Sequence, residues 1–295
     1  GCKSVEKILN KQLSKLSTVD QQVNAVEQSL LSVDSIEPSA GVFISSGMIK
    51  EFLSGEVEKM AMNSVDPAYN VLEINSDVAL GKQSIIVNAQ FTMYVRDVDA
   101  NITGTMKGLA GVSSLRDTVF FFGAFSSMEI ESINFLSKKP GITKRAKAKL
   151  IKPILKNYLN NVNRLMFKNP ATIFSGVGSN LDINIKDMFN DPRTSVLSSP
   201  TNSIQRTVKR TSFLIDEDGL KIMLELSSED GVSDQTKPIE TGRDSHSRRE
   251  LNKKFDIYHS KYSLTWLSTF ESVPDSANLA TYISKAEIAS LFNEA

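Results

Sequence analysis

The chain has 295 residues, of which 40% are hydrophobic, and its 34 Lys and Arg residues balance its 34 Asp and Glu residues. This size allows one large domain or two small ones with a proper core, and the charge balance argues against nucleic acid as a partner, which would require a basic excess. The single cysteine excludes internal disulfides and a cysteine-based zinc site, and no apolar run reaches the roughly 18 residues that a membrane span needs.

The first residues, Gly1, Cys2, Lys3 and Ser4, resemble the end of a bacterial lipoprotein signal, in which a glycine precedes the cysteine that is lipidated. The resemblance implies acylation of Cys2, and Lys3 in the next position favours the periplasmic face of the outer membrane over the inner membrane. Acyl chains of this kind anchor a folded domain without a membrane span. The alternative is that Gly1 and Cys2 have no functional role.

Apolar residues recur every three or four positions over residues 5–33, which predicts one long amphipathic helix. Its spacing fits a heptad seam, so the helix could be a stalk that pairs with neighbouring chains, or its apolar stripe could pack on its own domain. A break at residues 37–41, which include Pro38 and Gly41, follows. We therefore predict a lipid-anchored helix or stalk over residues 1–38 and an α+β domain over residues 39–295.

Residues 42–44 predict a short strand, and Ser45 or Ser46 can cap the helix that follows. After a strand over residues 69–80, polar and apolar residues alternate over 82–137, which predicts long antiparallel strands with one dry face. The apolar parity switches between Ile130 and Ile133, which indicates a one-residue bulge near Ser132. The glycine-rich residues 109–115 suit a sharp turn between two of these strands.

A broad apolar stripe over residues 142–167 predicts a long amphipathic helix, about as long as the strands at roughly 1.5 Å per residue. Basic residues gather on the other face of its first half, which is typical of a solvated helix face and would also suit anionic lipid headgroups. The predicted fold class is α+β: a long, highly curved antiparallel sheet wrapped around this helix, with an additional N-terminal helix.

The last third of the chain predicts further strands and a final helix. The predicted elements are an edge strand at 172–174, a strand at 181–185, a hairpin at 208–226 with its turn at 216–219, a polar excursion at 227–250, a strand pair at 255–267 and a helix over 279–292.

No stretch carries a catalytic or metal-binding pattern. Gly104, Gly108 and Gly111 lack the Lys-Ser or Lys-Thr pair of a phosphate loop, and His246 and His259 have no evident partner for a Ser-His-Asp arrangement. We predict that the protein is not an enzyme and uses no cofactor or metal.

The order of features over residues 42–175 resembles the tubular lipid-binding (TULIP) superfamily and, within it, the YceB-type bacterial lipoproteins. The residues that carry the resemblance are the capping-helix segment 44–53, the long amphipathic strands and the helix that ends near an Asn-Pro boundary, over 150–170. The resemblance implies a curved sheet around a long helix, with an apolar tunnel that holds acyl chains. The chain departs from small lipoproteins of this type by its N-terminal helix and by the residues from Arg206 onward.

A lipid container needs apolar walls and flexible side chains at its mouth. The residues expected to line it are Phe91, Met93, Met106, Phe121, Phe125, Met128, Ile130, Ile154 and Tyr158. We predict a membrane-anchored periplasmic lipoprotein that binds or transfers a lipid or another apolar molecule. The alternative is that these residues fill a dry core, in a structural or scaffolding lipoprotein that forms homo-oligomers or docks on an envelope protein.

Overall fold

The structure, a computed structural model, describes residues 3–13, 20–31, 38–115, 118–137, 143–175, 180–184, 203–227, 253 and 278–294. The helices are α1 (Lys3–Leu13), α2 (Asp20–Leu31), α3 (Ser46–Met62), α4 (Lys144–Lys168) and α5 (Lys285–Glu294). The strands are β1 (Ala40–Ser45), β2 (Tyr69–Gly81), β3 (Ser84–Val95), β4 (Ala100–Leu115), β5 (Thr118–Phe135), β6 (Ala171–Ser175), β7 (Asn180–Asn184), β8 (Ser203–Ile215), β9 (Gly219–Ser227) and β10 (Leu279–Ile283). Residues 228–250 of the predicted excursion and the strand pair predicted at 255–267 lie outside the described residues.

The fold is α+β, with a strongly curled antiparallel half-barrel sheet and a few helices. The described strands form two sheets, where the sequence predicted one. The long-strand sheet has the order β2-β3-β4-β5-β6, and the second sheet has the order β10-β1-β9-β8-β7. Local alternation could not reveal this division, because β1 pairs with β9 and β10, which lie far along the chain.

The strands predicted over residues 82–137 are confirmed as long ones. β3, β4 and β5 have 12, 16 and 18 residues, against a typical strand of about 5 to 6. The predicted bulge is also present: Thr103 pairs with Ser132 and Gly104 pairs with Ile130, which leaves Glu131 as the extra residue. This extra residue explains why the buried parity of β5 changes along the strand.

The turn predicted at residues 109–115 is wrong, because these residues continue β4. Their small size serves close packing instead. A Cβ atom on Gly108 would lie 2.6 Å from the Cα of Phe125, and one on Gly111 would press on the Oγ of Ser29 in α2. The glycines therefore let β5 approach β4 on one side and α2 approach the sheet on another.

The helix predicted over residues 5–33 is described as two segments, α1 and α2, and residues 14–19 lie outside the described residues. Both segments pack against the long-strand sheet, and α1 also lies beside α4. The apolar residues of both segments that are buried in the common core are Val5, Leu9, Leu13, Val26 and Leu30. This packing agrees with the alternative in which the stripe covers its own domain. The division of the chain at residue 38 stays a prediction.

Side chains of α1 satisfy backbone groups of β5 beyond the reach of β6, which pairs with β5 only over residues 118–121. The Asn10 Nδ2 donates to the Ile130 carbonyl oxygen at 3.0 Å, and the Ile130 N–H donates to the Asn10 Oδ1 at 2.8 Å. The Ile133 N–H donates to the Glu6 carboxylate at 3.3 Å. These bonds protect an otherwise open sheet edge from pairing with another chain.

The second sheet confirms several local predictions. The Ser45 Oγ accepts a hydrogen bond from the Met48 N–H and caps α3, and β8 and β9 form the predicted hairpin around Asp216. The prediction of a final helix over residues 279–292 is wrong in its first part, because residues 279–283 form β10 and pair with β1. The helix α5 begins only at Lys285, where the Ser284 Oγ accepts from the Glu287 N–H.

One buried side chain joins the two sheets. Gln83 lies in the turn between β2 and β3, in the left-handed region with φ of 43°, and is only 4% exposed. Its Nε2 donates to the carbonyl oxygens of Leu30 at 2.6 Å and Phe213 at 3.2 Å, and its Oε1 accepts from the Ile215 N–H. A single amide thus connects the long-strand sheet, the second sheet and the C-terminal turn of α2.

Candidate apolar binding site

The nine residues predicted to line a cavity lie on β3, β4, β5 and α4, and each is between 0% and 7% exposed. The strand register gathers the seven strand residues on one face of the long-strand sheet. Met106, for example, pairs with Ala89 of β3 on one side and with Met128 of β5 on the other. The sequence periodicity therefore identified a continuous apolar face, with Ile154 and Tyr158 of α4 packed in the same core.

Tyr158 is the central contact between α4 and this face. Its ring lies 5.5 Å from the ring of Phe91 and 5.4 Å from that of Tyr69, in an edge-to-face arrangement with the latter. Its hydroxyl is buried and has no hydrogen-bond partner among the described residues. Burial, and to a lesser degree the neighbouring Tyr69, raises the pKa of the Tyr158 hydroxyl above its usual value of 10.0.

The neighbouring tyrosine has the partners that Tyr158 lacks. The Tyr69 hydroxyl lies 2.9 Å from the Ser64 Oγ and accepts from the Asn161 Nδ2 at 3.3 Å. One turn earlier on α4, the Asn157 Nδ2 donates to Asp66 at 2.6 Å. These hydrogen bonds form a polar seam of Ser64, Asp66, Tyr69, Asn157 and Asn161 that was not predicted from the sequence. Two asparagines four positions apart on an amphipathic helix were a usable signal for it.

A small cavity lies between α3, α4 and the long-strand sheet, with a volume of about 20 Å³. Such a volume holds about one water molecule, whereas pockets for small-molecule ligands measure roughly 300–1,000 Å³. Phe121 is the one predicted lining residue at this cavity; Met60 of α3 and Met166 of α4, which the sequence analysis did not select, also line it. Gly123 faces Met166 so closely that a Cβ atom would lie 2.7 Å from the Met166 Cε.

The described residues contain neither a metal-binding cluster nor a membrane-spanning helix. No three Asp, Glu, His or Cys side chains among them come close enough to hold a metal ion. In the same part of the chain, every helix is too short or too polar to cross a membrane. Cys2, His246 and His259 lie outside the described residues.

Comparison with known proteins assigns no family to this chain. No protein-family model matches the chain, and no curated protein matches it.

Proposed function

We propose that the protein is a membrane-anchored periplasmic lipoprotein that binds or transfers a lipid or another apolar molecule. In this proposal the long-strand sheet curves around α4 as a container of the TULIP kind, and its nine core residues from Phe91 to Tyr158 contact the apolar part of the ligand. An acylated Cys2 holds the protein at the periplasmic face of the outer membrane.

The observation that carries the proposal is the buried Tyr158 hydroxyl with no partner among the described residues. Leaving a buried polar group unpaired costs about 1–3 kcal/mol, so native proteins seldom do so without a reason. The ester, carboxyl or hydroxyl oxygen of a lipid could accept the hydrogen bond of Tyr158. The surrounding Phe91 ring and the apolar sheet face would then receive the acyl chain.

Entry of a ligand requires the interior to widen, because the cavity between α3 and α4 measures only about 20 Å³. Met60 and Met166 line the cavity on opposite helices, and methionine side chains adapt readily to new shapes. We propose that the seam between α3 and α4 opens there, with α3 moving away from the sheet face that carries Phe121.

The experiment is native mass spectrometry of the full chain extracted from membranes, together with mass spectrometry of its organic extract. We expect a stoichiometric lipid on the folded protein. A fluorescent fatty acid then measures affinity, and Tyr158→Phe should weaken binding by about three- to tenfold through loss of one hydrogen bond. The control Tyr94→Phe removes a half-buried hydroxyl at the end of β3 that donates to Asp99, and it should leave affinity unchanged. Protein that carries no lipid and binds no fatty acid would refute the container.

A scaffolding lipoprotein is the second candidate, and the close packing of the core favours it. The nine predicted lining residues are almost fully buried by protein atoms, which is also what a solid structural domain would show. Native mass spectrometry separates the two candidates, because a scaffold appears as a lipid-free homo-oligomer or in complex with an envelope protein. Metabolic labelling with a palmitate analogue tests the anchor, and Cys2→Ser should abolish the label.

A further inference from the structure

The first half of α4 carries basic residues at positions that fall on one side of the helix. Arg145, Lys149, Lys152 and Lys156 follow one another at steps of four, three and four, which places them in a row along the helix axis. We call these four residues the basic stripe. The helix from Lys144 to Lys168 contains no Asp or Glu, so no acidic residue on α4 neutralises the row.

The basic stripe is partly open to solvent. Arg145 and Lys149 are exposed, and Lys152 and Lys156 are half-buried. None of the four has a carboxylate partner among the described residues.

Contacts with β5 show where this half of α4 lies. The Lys147 Nζ lies 3.8 Å from the centre of the Phe135 ring, at the end of β5. The Ile133 N–H, two residues earlier, donates to Glu6 in the first turns of α1. The helices α1 and α4 therefore begin at the same end of the long-strand sheet, and Cys2 directly precedes α1 in the chain.

Acidic side chains near this end are engaged by neighbours. Asp66 accepts hydrogen bonds from the Ala68 N–H and from Asn157, and Asp99 accepts one from the Tyr94 hydroxyl. Glu6 accepts from the backbone of β5. These three carboxylates are therefore engaged away from the basic stripe.

We infer that the basic stripe contacts the surface of an anionic phospholipid bilayer. The inference rests on the proposed function, because an acylated Cys2 would hold this end of the domain at the membrane. Each lysine or arginine near an anionic surface strengthens binding by about fivefold, so four of them supply a useful second signal beside the acyl chains. The contact would also orient the domain, with α4 against the headgroups.

The test uses the full chain with Cys2→Ser, so that any vesicle binding comes from the protein surface alone. Sedimentation with vesicles of phosphatidylglycerol and phosphatidylcholine should show binding that weakens as salt rises, and vesicles of pure phosphatidylcholine should show little. The double variant Lys149→Glu/Lys152→Glu should lower the partition coefficient at least about tenfold. The matched control Lys50→Glu/Lys209→Glu changes the charge equally at exposed positions of α3 and β8 and should keep near-wild-type binding.

Absence of binding to the anionic vesicles, or equal losses in the two double variants, would overturn the inference. So would binding to a single-stranded oligonucleotide without binding to vesicles, which would assign the stripe to another partner. Lipid in the extract of the native protein reports separately on the container, and the palmitate label reports separately on the anchor. If the protein carries lipid and takes the palmitate label but does not bind the vesicles, only the inferred bilayer contact is refuted.

Discussion

Asn163 of α4 pairs with the backbone of Phe125 in β5 through both of its amide atoms. The Phe125 N–H donates to the Asn163 Oδ1 at 2.7 Å, and the Asn163 Nδ2 donates to the Phe125 carbonyl oxygen at 3.0 Å. Both residues are almost fully buried, and β6 does not reach this part of β5. The amide therefore acts as a short substitute for a neighbouring strand and ties α4 to the sheet.

Asn163→Leu keeps a similar side-chain size but leaves the Phe125 N–H and carbonyl groups buried without partners. We expect the free energy of unfolding to fall by about 2–4 kcal/mol, because each lost partner costs about 1–3 kcal/mol. Urea denaturation followed by circular dichroism measures the change. Asn160→Leu, on the same helix and half-exposed, is the control and should stay within about 0.5 kcal/mol of the parent. Equal effects of the two variants would contradict the role given to Asn163.

Gln83→Glu tests the connection between the two sheets. A carboxylate can still accept from the Ile215 N–H, but its second oxygen would face the carbonyl oxygens of Leu30 and Phe213, to which Gln83 now donates. We expect a loss of about 3 kcal/mol at pH 7. Burial should raise the pKa of the introduced carboxyl, so the deficit should grow as pH rises from about 4 to 7.

Urea unfolding at several pH values measures this dependence, and Gln22→Glu on the half-exposed face of α2 is the matched control. A deficit in Gln83→Glu that does not change with pH would argue against a buried, donor-dependent role for Gln83.

The glycines of the long-strand sheet and of α3 should respond to alanine in opposite directions. Gly108→Ala places a Cβ atom against the backbone of Ala124 and Phe125, so we expect a loss of about 1–3 kcal/mol from overpacking. Gly55→Ala, in the interior of α3 with no atom within 4 Å of the new Cβ, should gain about 0.5–1 kcal/mol. Thermal unfolding of both variants checks the signs. A stabilising Gly108→Ala would show that β4 and β5 are not in this close contact.

The buried hydroxyl of Tyr158 should make the protein less stable at alkaline pH. Because its pKa is raised in the folded state, the unfolded chain releases the phenolic proton near pH 10 while the folded chain retains it. The contribution of Tyr158 to the free energy of unfolding is fully present below pH 10 and declines above it, with a slope of at most about 1.4 kcal/mol per pH unit. Tyr158→Phe should lack this part of the slope. Urea unfolding of both proteins between pH 8 and 11 measures the difference, and parallel slopes would contradict the burial of the Tyr158 hydroxyl.

Local patterns in the sequence predicted the local structure well. The alternation around Phe91, the parity change between Ile130 and Ile133, and the capping position of Ser45 are each consequences of a few neighbouring residues. The apolar face of the candidate site was predictable for the same reason. The complete polar seam was not, because Asn161 lies 92 positions from Tyr69 in the chain.

Period and polarity along the chain were enough to predict that these segments are strands and which side of each long strand is buried, because both signals act between close neighbours. The division of the strands into two sheets became evident only from the fold. The same holds for the cover of the β5 edge by α1 and for the packing role of Gly108 and Gly111. Those outcomes depend on contacts between residues far apart in the chain, such as Asn10 with Ile130, about 120 positions away. No local pattern encodes which distant backbone group will supply such a partner.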